Sequence, residues 1–244
     1  RMINSVRNTV LSILNKNNYG YISPSDFNLF AKQAQMDIFE NYFFQYNYQI
    51  NKENARQSGT GYANLKQGNE EVIDYFSTTS KLTIVAATNT FNLPLDYYLL
   101  NKILYDAQAT PSVPLKEMER VSQKKITLLL NSNITSPNIL YPAYTMEANL
   151  LTAYPTTINA QDDVVCQYVR YPLDPKWTYI DVPSSTGEPL FSPTAVDYQD
   201  FELPESDEPT LVVRILEYAG LSIRETEVVK VAAGMDAREN TSEQ

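Results

Sequence analysis

The sequence contains no histidine and a single cysteine, Cys166. Without histidine there is no Ser-His-Asp or Cys-His nucleophilic machinery, and the commonest zinc ligand is missing. A lone cysteine forms no internal disulfide, so an intracellular folding compartment is expected. Cys166 lies between Val165 and Gln167 in a strand-like run, and reads as a small buried hydrophobe. Glycine is scarce, at 7 residues. Ser58-Gly59-Thr60-Gly61 is the one flexible-looking linker; it follows no strand pattern and lacks the third glycine of a dinucleotide fingerprint. Basic residues are outnumbered by acidic ones, 19 to 29, giving a net charge of −10. That balance opposes duplex binding, which needs clustered Lys and Arg to displace phosphate counterions. It does not oppose a surface past which DNA slides without sticking. The apolar runs are far shorter than the ~18 residues needed to span a bilayer, so no membrane partner is expected. No N-terminal segment has the layout of a signal peptide.

What the chain does have is apolar and aromatic residues. At 244 residues, 43% of them hydrophobic, it can bury a sizeable core and need not form one domain. Tyrosine reaches 18 residues and proline 14; the first is favoured at interfaces and the second in extended connectors. Charge is uneven. Residues 1–16 carry Arg1, Arg7 and Lys16 and no acid, whereas 197–208 carry Asp197, Asp200, Glu202, Glu205, Asp207 and Glu208 and no base. The acidic run reads either as a solvated loop or as a docking surface for a basic partner.

Ile3, Val6, Val10, Ile13 and Leu14 fall on one face and predict a helix over 2–16. Ser23, Pro24 and Asp26 are a cap, a first-turn proline and a dipole-matched acid, and start a second helix that runs toward Arg56. Its aromatic cluster, Tyr42, Phe43, Phe44, Tyr46 and Tyr48, exceeds one helix face and marks a subunit contact as well as core. Asn69–Phe76 predicts a short third helix. Strands are expected over 81–87, 90–93 and 99–106, and a helix over Leu115–Leu130, with Leu115, Met118, Val121, Ile126 and Leu129 as its stripe. Residues 143–172 read as a meander of three antiparallel strands, of which Val164–Tyr171 carries the strongest signal. Residues 173–203 show no period; Trp177, Tyr179 and Phe191 stand there as isolated anchors, expected either to contact a neighbouring subunit or partner protein or to pin the coil to its own sheet. Glu205 to Pro209 starts a helix with Leu211, Val212, Ile215, Leu216 and Ala219 buried. Gly220 is expected to break it, and Ser222-Ile223-Arg224-Glu225 to cap a last helix. The polar tail beyond Gly234 includes Arg238, a candidate partner contact.

The fold class expected is α+β. Helices from both chain ends (1–78 and 205–244) form a helical bundle, 79–172 is a mostly antiparallel β-rich domain with one inserted helix, and 173–204 is an extended loop. No catalytic residue, cofactor or metal ligand set is assigned. Carboxylate pairs that could serve a hydrolase are Asp162-Asp163, Glu70-Glu71 and Asp200 with Glu202; each also has a structural reading, because such pairs act only at set separations in space.

Several phrases, in order, carry a resemblance: Phe91-Asn92-Leu93-Pro94-Leu95-Asp96-Tyr97, Leu151-Thr152-Ala153-Tyr154-Pro155, Tyr168-Val169-Arg170-Tyr171-Pro172, and Leu211–Ala219 followed by Gly220-Leu221-Ser222-Ile223-Arg224. Together they resemble the head–tail adaptor (tubular ring) proteins of short-tailed double-stranded DNA phages, closest to the ring proteins of crAss-like phages. The resemblance covers roughly 80–235. It implies a virion protein at the head–tail junction, assembled as a ring of about twelve copies. Its implied partners are the portal protein, the next tail or ring protein, and genomic DNA passing through the channel. A receptor- or glycan-binding tail protein is the alternative reading.

Overall fold

The computed structural model describes residues 1–16, 21–55, 70–85, 88–107, 115–181 and 189–223. They form a mixed α+β chain that divides into two compact units, Arg1–Val72 with Pro172–Gln244, and Ile73–Tyr171. The second unit is therefore an insertion between the two halves of the first.

The first unit holds α1 (Met2–Lys16), α2 (Pro24–Ala55) and α5 (Glu208–Ile223). Ile3, Val6, Val10 and Leu14 of α1 are fully buried, whereas Ile13 lies at the margin of the stripe, 37% exposed. Ser23 starts α2: its hydroxyl accepts from the Asp26 amide at 3.2 Å and satisfies an amide that has no partner within the helix. The buried side of α2 is Phe27, Ala31, Ala34, Ile38 and Phe39. α5 packs against both α1 and α2. It runs through Gly220 to Ile223, so the expected break does not occur. A helical glycine costs only ~1 kcal/mol, and Gly220 is buried, where the absence of a side chain lets a neighbour approach closely. The last helix expected after Ser222 lies outside the described residues.

The second unit begins within α3 (70–75), and its described residues form nine strands in two sheets. β1 (Ser77–Lys81), β4 (Tyr97–Tyr105), β5 (Lys116–Glu117) and β9 (Val164–Arg170) form the first, in the order β1-β9-β4-β5, all antiparallel. β2 (Thr83–Ile84), β3 (Thr90–Asn92), β6 (Glu119–Arg120), β7 (Ala143–Glu147) and β8 (Leu150–Tyr154) form the second, in the order β2-β3-β8-β7-β6, with only β6–β7 parallel. Single residues join the sheets at both edges. Leu82 separates β1 from β2 and Met118 separates β5 from β6. Each is buried and donates its amide across the corner, Leu82 to the Val164 carbonyl and Met118 to the Ile103 carbonyl, both at 2.9 Å. Strands that switch sheets in this way make the corners of a closed β-layer. Inside it lie Phe91, Leu93, Ile103, Leu151, Ile158 and Cys166.

Two expectations are corrected here. Residues 115–130 are not one helix: 116–117 and 119–120 are strands, and only α4 (Gln123–Leu130) is helical, capped by Ser122. Met118 and Val121 are buried as the corner and its neighbour, and a spacing of three mimicked a helical stripe. The meander over 143–172 is also split. β7 and β8 pair as a hairpin, but β9 inserts between β1 and β4 of the other sheet. The link 156–163 buries Ile158 in the core between the sheets, which carries the chain across.

Candidate assembly interface

The described parts of the 173–203 stretch, 173–181 and 189–203, are organised in the first unit around one aromatic stack. β10 (Tyr179–Asp181) pairs with β11 (Pro189–Phe191) in antiparallel register, with Tyr179 opposite Phe191. Trp177 stacks on two rings, on Tyr179 at 5.7 Å and 21°, and on Phe191 at 5.8 Å and 19°. The Arg7 guanidinium lies 3.8 Å from the Trp177 ring centroid, a cation–π contact in a desolvated site. Burial pushes the Arg7 pKa down from its ordinary value, while Tyr21 acts in the opposite direction. The indole N–H donates to Asn4 Oδ1 at 3.1 Å. Asn28 holds the Trp177 backbone at both ends, donating to its carbonyl at 3.1 Å and accepting from its amide at 2.8 Å. Trp177 is 2% exposed. The residue offered by sequence as a partner contact is thus a brace that ties the coil to α1 and α2. Phe191 is half-buried and Tyr179 is the exposed leaf of the stack.

Five of the six carboxylates of the acidic run 197–208 are engaged within their own unit. Asp200 Oδ1 accepts from the Ile3 amide at 2.8 Å and from the Phe201 amide at 3.0 Å; it is a helix cap for α1 supplied from the far end of the chain. Glu208 accepts from the Ser5 hydroxyl, and Asp207 accepts from the Tyr42 hydroxyl at 2.6 Å. Glu202 accepts from the Leu173 amide at 2.7 Å, while Asp197 pairs with Lys176. Gln35, buried in α2, donates to the Leu173 carbonyl at 2.8 Å and accepts from the Glu202 amide at 3.0 Å. These carboxylates hold their own unit together. Nothing local in the sequence marks that role, because each partner lies far away along the chain.

The aromatic cluster of α2 divides between inside and outside. Phe43 is buried edge-on against Phe39 at 5.0 Å. Tyr42 is tied to Asp207, and the Tyr46 hydroxyl donates to Glu70 at 3.1 Å. Phe44 remains 70% exposed and Tyr48 54% exposed. They are four residues apart, so they stand on one helix face. Glu40, also exposed, precedes them on that face by one turn. Arg238 lies outside the described residues.

Sequence reading missed a second exposed surface. From Ile126 to Met146 there is no charged residue, yet Leu128, Ile134, Leu140 and Tyr141 are 70%, 94%, 67% and 78% exposed. Only Ile126 of α4 is fully buried, against Val121 and Ala143. The Asn138 side chain organises the loop by accepting from the Leu140 and Tyr141 amides, and Lys116 Nζ donates to the Ile139 carbonyl at 3.2 Å. The signal was available: a long run without charge that exceeds what one short helix can cover.

The carboxylate pairs considered for hydrolysis have structural partners. Asp163 is buried and accepts from the Ala160 amide at 3.0 Å; burial pushes its pKa up, the Ala160 hydrogen bond opposes this, and Asp106 adds to it. Its neighbour Asp162 occupies the left-handed turn position, φ 68°, and accepts from Gln161. Glu70 holds Tyr46, and Asp200 and Glu202 act as described above. Cys166 is fully buried, and burial pushes its thiol up to about 12, so it is not a nucleophile at neutral pH. A cleft of about 510 Å³ opens where β5 passes into β6, lined by Lys102, Glu117, Glu119, Arg120 and Tyr144 among others. Lys102 and Glu117 pair across it at 3.0 Å. Among the described residues no three His, Cys, Asp or Glu side chains cluster as a metal site. No described helix is long and apolar enough to cross a membrane. No protein-family model and no curated protein matches the chain in sequence.

Proposed function

We propose that this chain is a structural virion protein, a head–tail adaptor that forms a ring beneath the portal, extends the DNA channel and docks the next tail component. The observation that carries the reading is the uncharged, solvent-facing apolar surface over 126–141, together with the outward aromatics of α2. Contiguous apolar surface of this kind marks a protein contact on an otherwise polar exterior. The resemblance of the ordered phrases from Phe91 to Arg224 supplies the particular assembly.

In this reading α1, α2 and α5 make a helical bundle that meets the portal, together with the chain's C-terminal end. The net charge of −10 keeps the channel wall from holding phosphates. Electron microscopy of the purified full chain with its portal tests the proposal. A closed ring of about twelve subunits is expected. A chain that stays monomeric on an assembled portal, or that forms a free trimer as a receptor-binding tail protein would, refutes it.

A further inference from the structure

The cleft beside the Met118 corner is walled by two sheet edges. β4 is nine residues long, but β5 lies against only Leu104 and Tyr105, and the Met118 amide reaches one residue further, to the Ile103 carbonyl. From Tyr97 to Lys102 that side of β4 has no strand neighbour among the described residues. β6, the last strand of the other sheet, lines the same cleft. The open β4 edge is about 20 Å long at ~3.3 Å per residue. The cleft, about 510 Å³, has the size of a ligand-binding cleft, ~300–1,000 Å³. Unpaired edge groups are a template for an added strand. Register shifts leave Tyr98 and Asn101 bulged, which twists the edge and stops a long flat ladder from growing on it. A short segment fits where a second sheet does not.

The side chains give this cleft its chemistry. Ile103 and Met118 are buried along it and Leu100 is half-buried. Lys102 is held by Glu117 at 3.0 Å, and Glu119 faces Lys125 at 3.9 Å. The Arg120 guanidinium is exposed and has no ion pair or hydrogen bond among the described residues. Tyr144 is 5% exposed and packs in the core, yet its hydroxyl makes no hydrogen bond among them either. Burial pushes the Tyr144 pKa up; the Arg120 charge opposes this and Glu117 adds to it, so guanidinium and phenol act on the same place.

We propose that this cleft binds an extended acidic segment of a partner protein, which adds a short strand to the β4 edge and sets a carboxylate between Arg120 and the Tyr144 hydroxyl. Strand addition draws affinity from main-chain hydrogen bonds and specificity from pockets for alternate side chains. A carboxylate accepts from both donors at once, and each is otherwise unmatched. A basic segment would set its charge against Arg120 and leave the phenol without an acceptor. Residues two positions to either side of the carboxylate share its face, and apolar ones would lie along Leu100 and Met118. The inference goes beyond the ring reading and does not need it, because the cleft lies within one unit of one copy.

Amide NMR of the nitrogen-labelled full chain tests this, with the blocked peptide acetyl-Val-Thr-Glu-Thr-Val-amide as probe. Saturable shifts are expected at the amides of residues 99–102, 120 and 144, with a Kd of about 0.1–1 mM. The same peptide with Gln for Glu should bind about tenfold more weakly. R120Q should lose as much toward the Glu peptide and little toward the Gln peptide; Arg120 is exposed and unpaired, so circular dichroism should be unchanged. A peptide N-methylated at alternate residues should not bind, because it cannot complete the ladder. No saturable shift by ~5 mM, shifts centred elsewhere, equal binding of Glu, Gln and Lys peptides, or binding of the N-methylated peptide each overturns the proposal. If the 99–102 amides shift with protein concentration alone, the cleft takes a second copy and the partner assignment is wrong. Failure of ring formation on the portal leaves these expectations in place, so the two readings fall separately.

Discussion

Replacing Trp177 by alanine separates an internal brace from a partner contact. The side chain is 2% exposed, stacked on Tyr179 and Phe191, and covered by Arg7. Removing about 200 Å² of buried aromatic surface costs ~5 kcal/mol at ~25 cal/mol per Å². Loss of the cation–π contact adds ~1–2 kcal/mol, because Arg7 stays buried without the ring that faces it. Local collapse returns part of this, leaving ~4–6 kcal/mol, within the range measured for large aromatic truncations. A domain has only ~5–15 kcal/mol in total, so W177A should lower the melting temperature by at least ~10 °C or fail to fold. Circular dichroism is the assay, since Trp177 is the only tryptophan and its fluorescence disappears with it. W177F keeps the stack and loses the indole bond to Asn4; it should cost ~1–2 kcal/mol, a fall of a few degrees. A W177A melting temperature within ~2 °C of wild type would refute the brace. If that variant also failed to assemble, Trp177 would be a partner contact after all.

D200A should cost ~1–2 kcal/mol in urea unfolding by uncapping α1, with D200N nearer wild type. Ala148 opens the β7–β8 turn at φ 49°, where a Cβ is unfavourable, so A148G should stabilise by ~0.5–1 kcal/mol in the same assay. Asp163 holds its proton to higher pH when folded than when unfolded, chiefly because it is buried. Its contribution is therefore greatest below the ordinary carboxylate range and falls as pH rises through the raised folded value. D163N keeps an acceptor for the Ala160 amide and removes the titration. Urea midpoints from about pH 4 to 8 should vary less with pH in D163N than in wild type, with no loss at neutral pH.

Local order was the legible part of this chain. The α1 stripe and the Ser23 cap declare themselves within one or two turns, and the β7–β8 hairpin within a dozen residues. The β1 strand, Ser-Thr-Thr-Ser-Lys, did not declare itself. It has no apolar alternation and is held by its ladder with β9. The corners at Leu82 and Met118 were hidden for a related reason: one buried residue between two short strands has no period. The internal partners of the acidic run were hidden because a carboxylate's role depends on its acceptor geometry, and the Ile3 amide is 197 positions from Asp200. Trp177, Tyr179 and Phe191 were singled out correctly as anchors, but composition cannot say whether an aromatic faces its own chain or another. For α2 the answer differs within one turn, with Phe43 turned inward and Phe44 outward.

The cap that Asp200 places on α1 also sets a clock. During synthesis the first helix emerges early, and the carboxylate that completes its amino end emerges some 200 residues later. At ~5–20 residues per second that interval is about 10–40 s. The inserted unit, Ile73–Tyr171, contains all of its own strand partners and is finished before Asp200 leaves the ribosome. The nascent chain therefore carries a folded central unit while α1 and α2 wait with their apolar faces uncovered. For that interval the protein's solubility rests with whatever shields those two helices in the cell, and its own stability does not yet contribute.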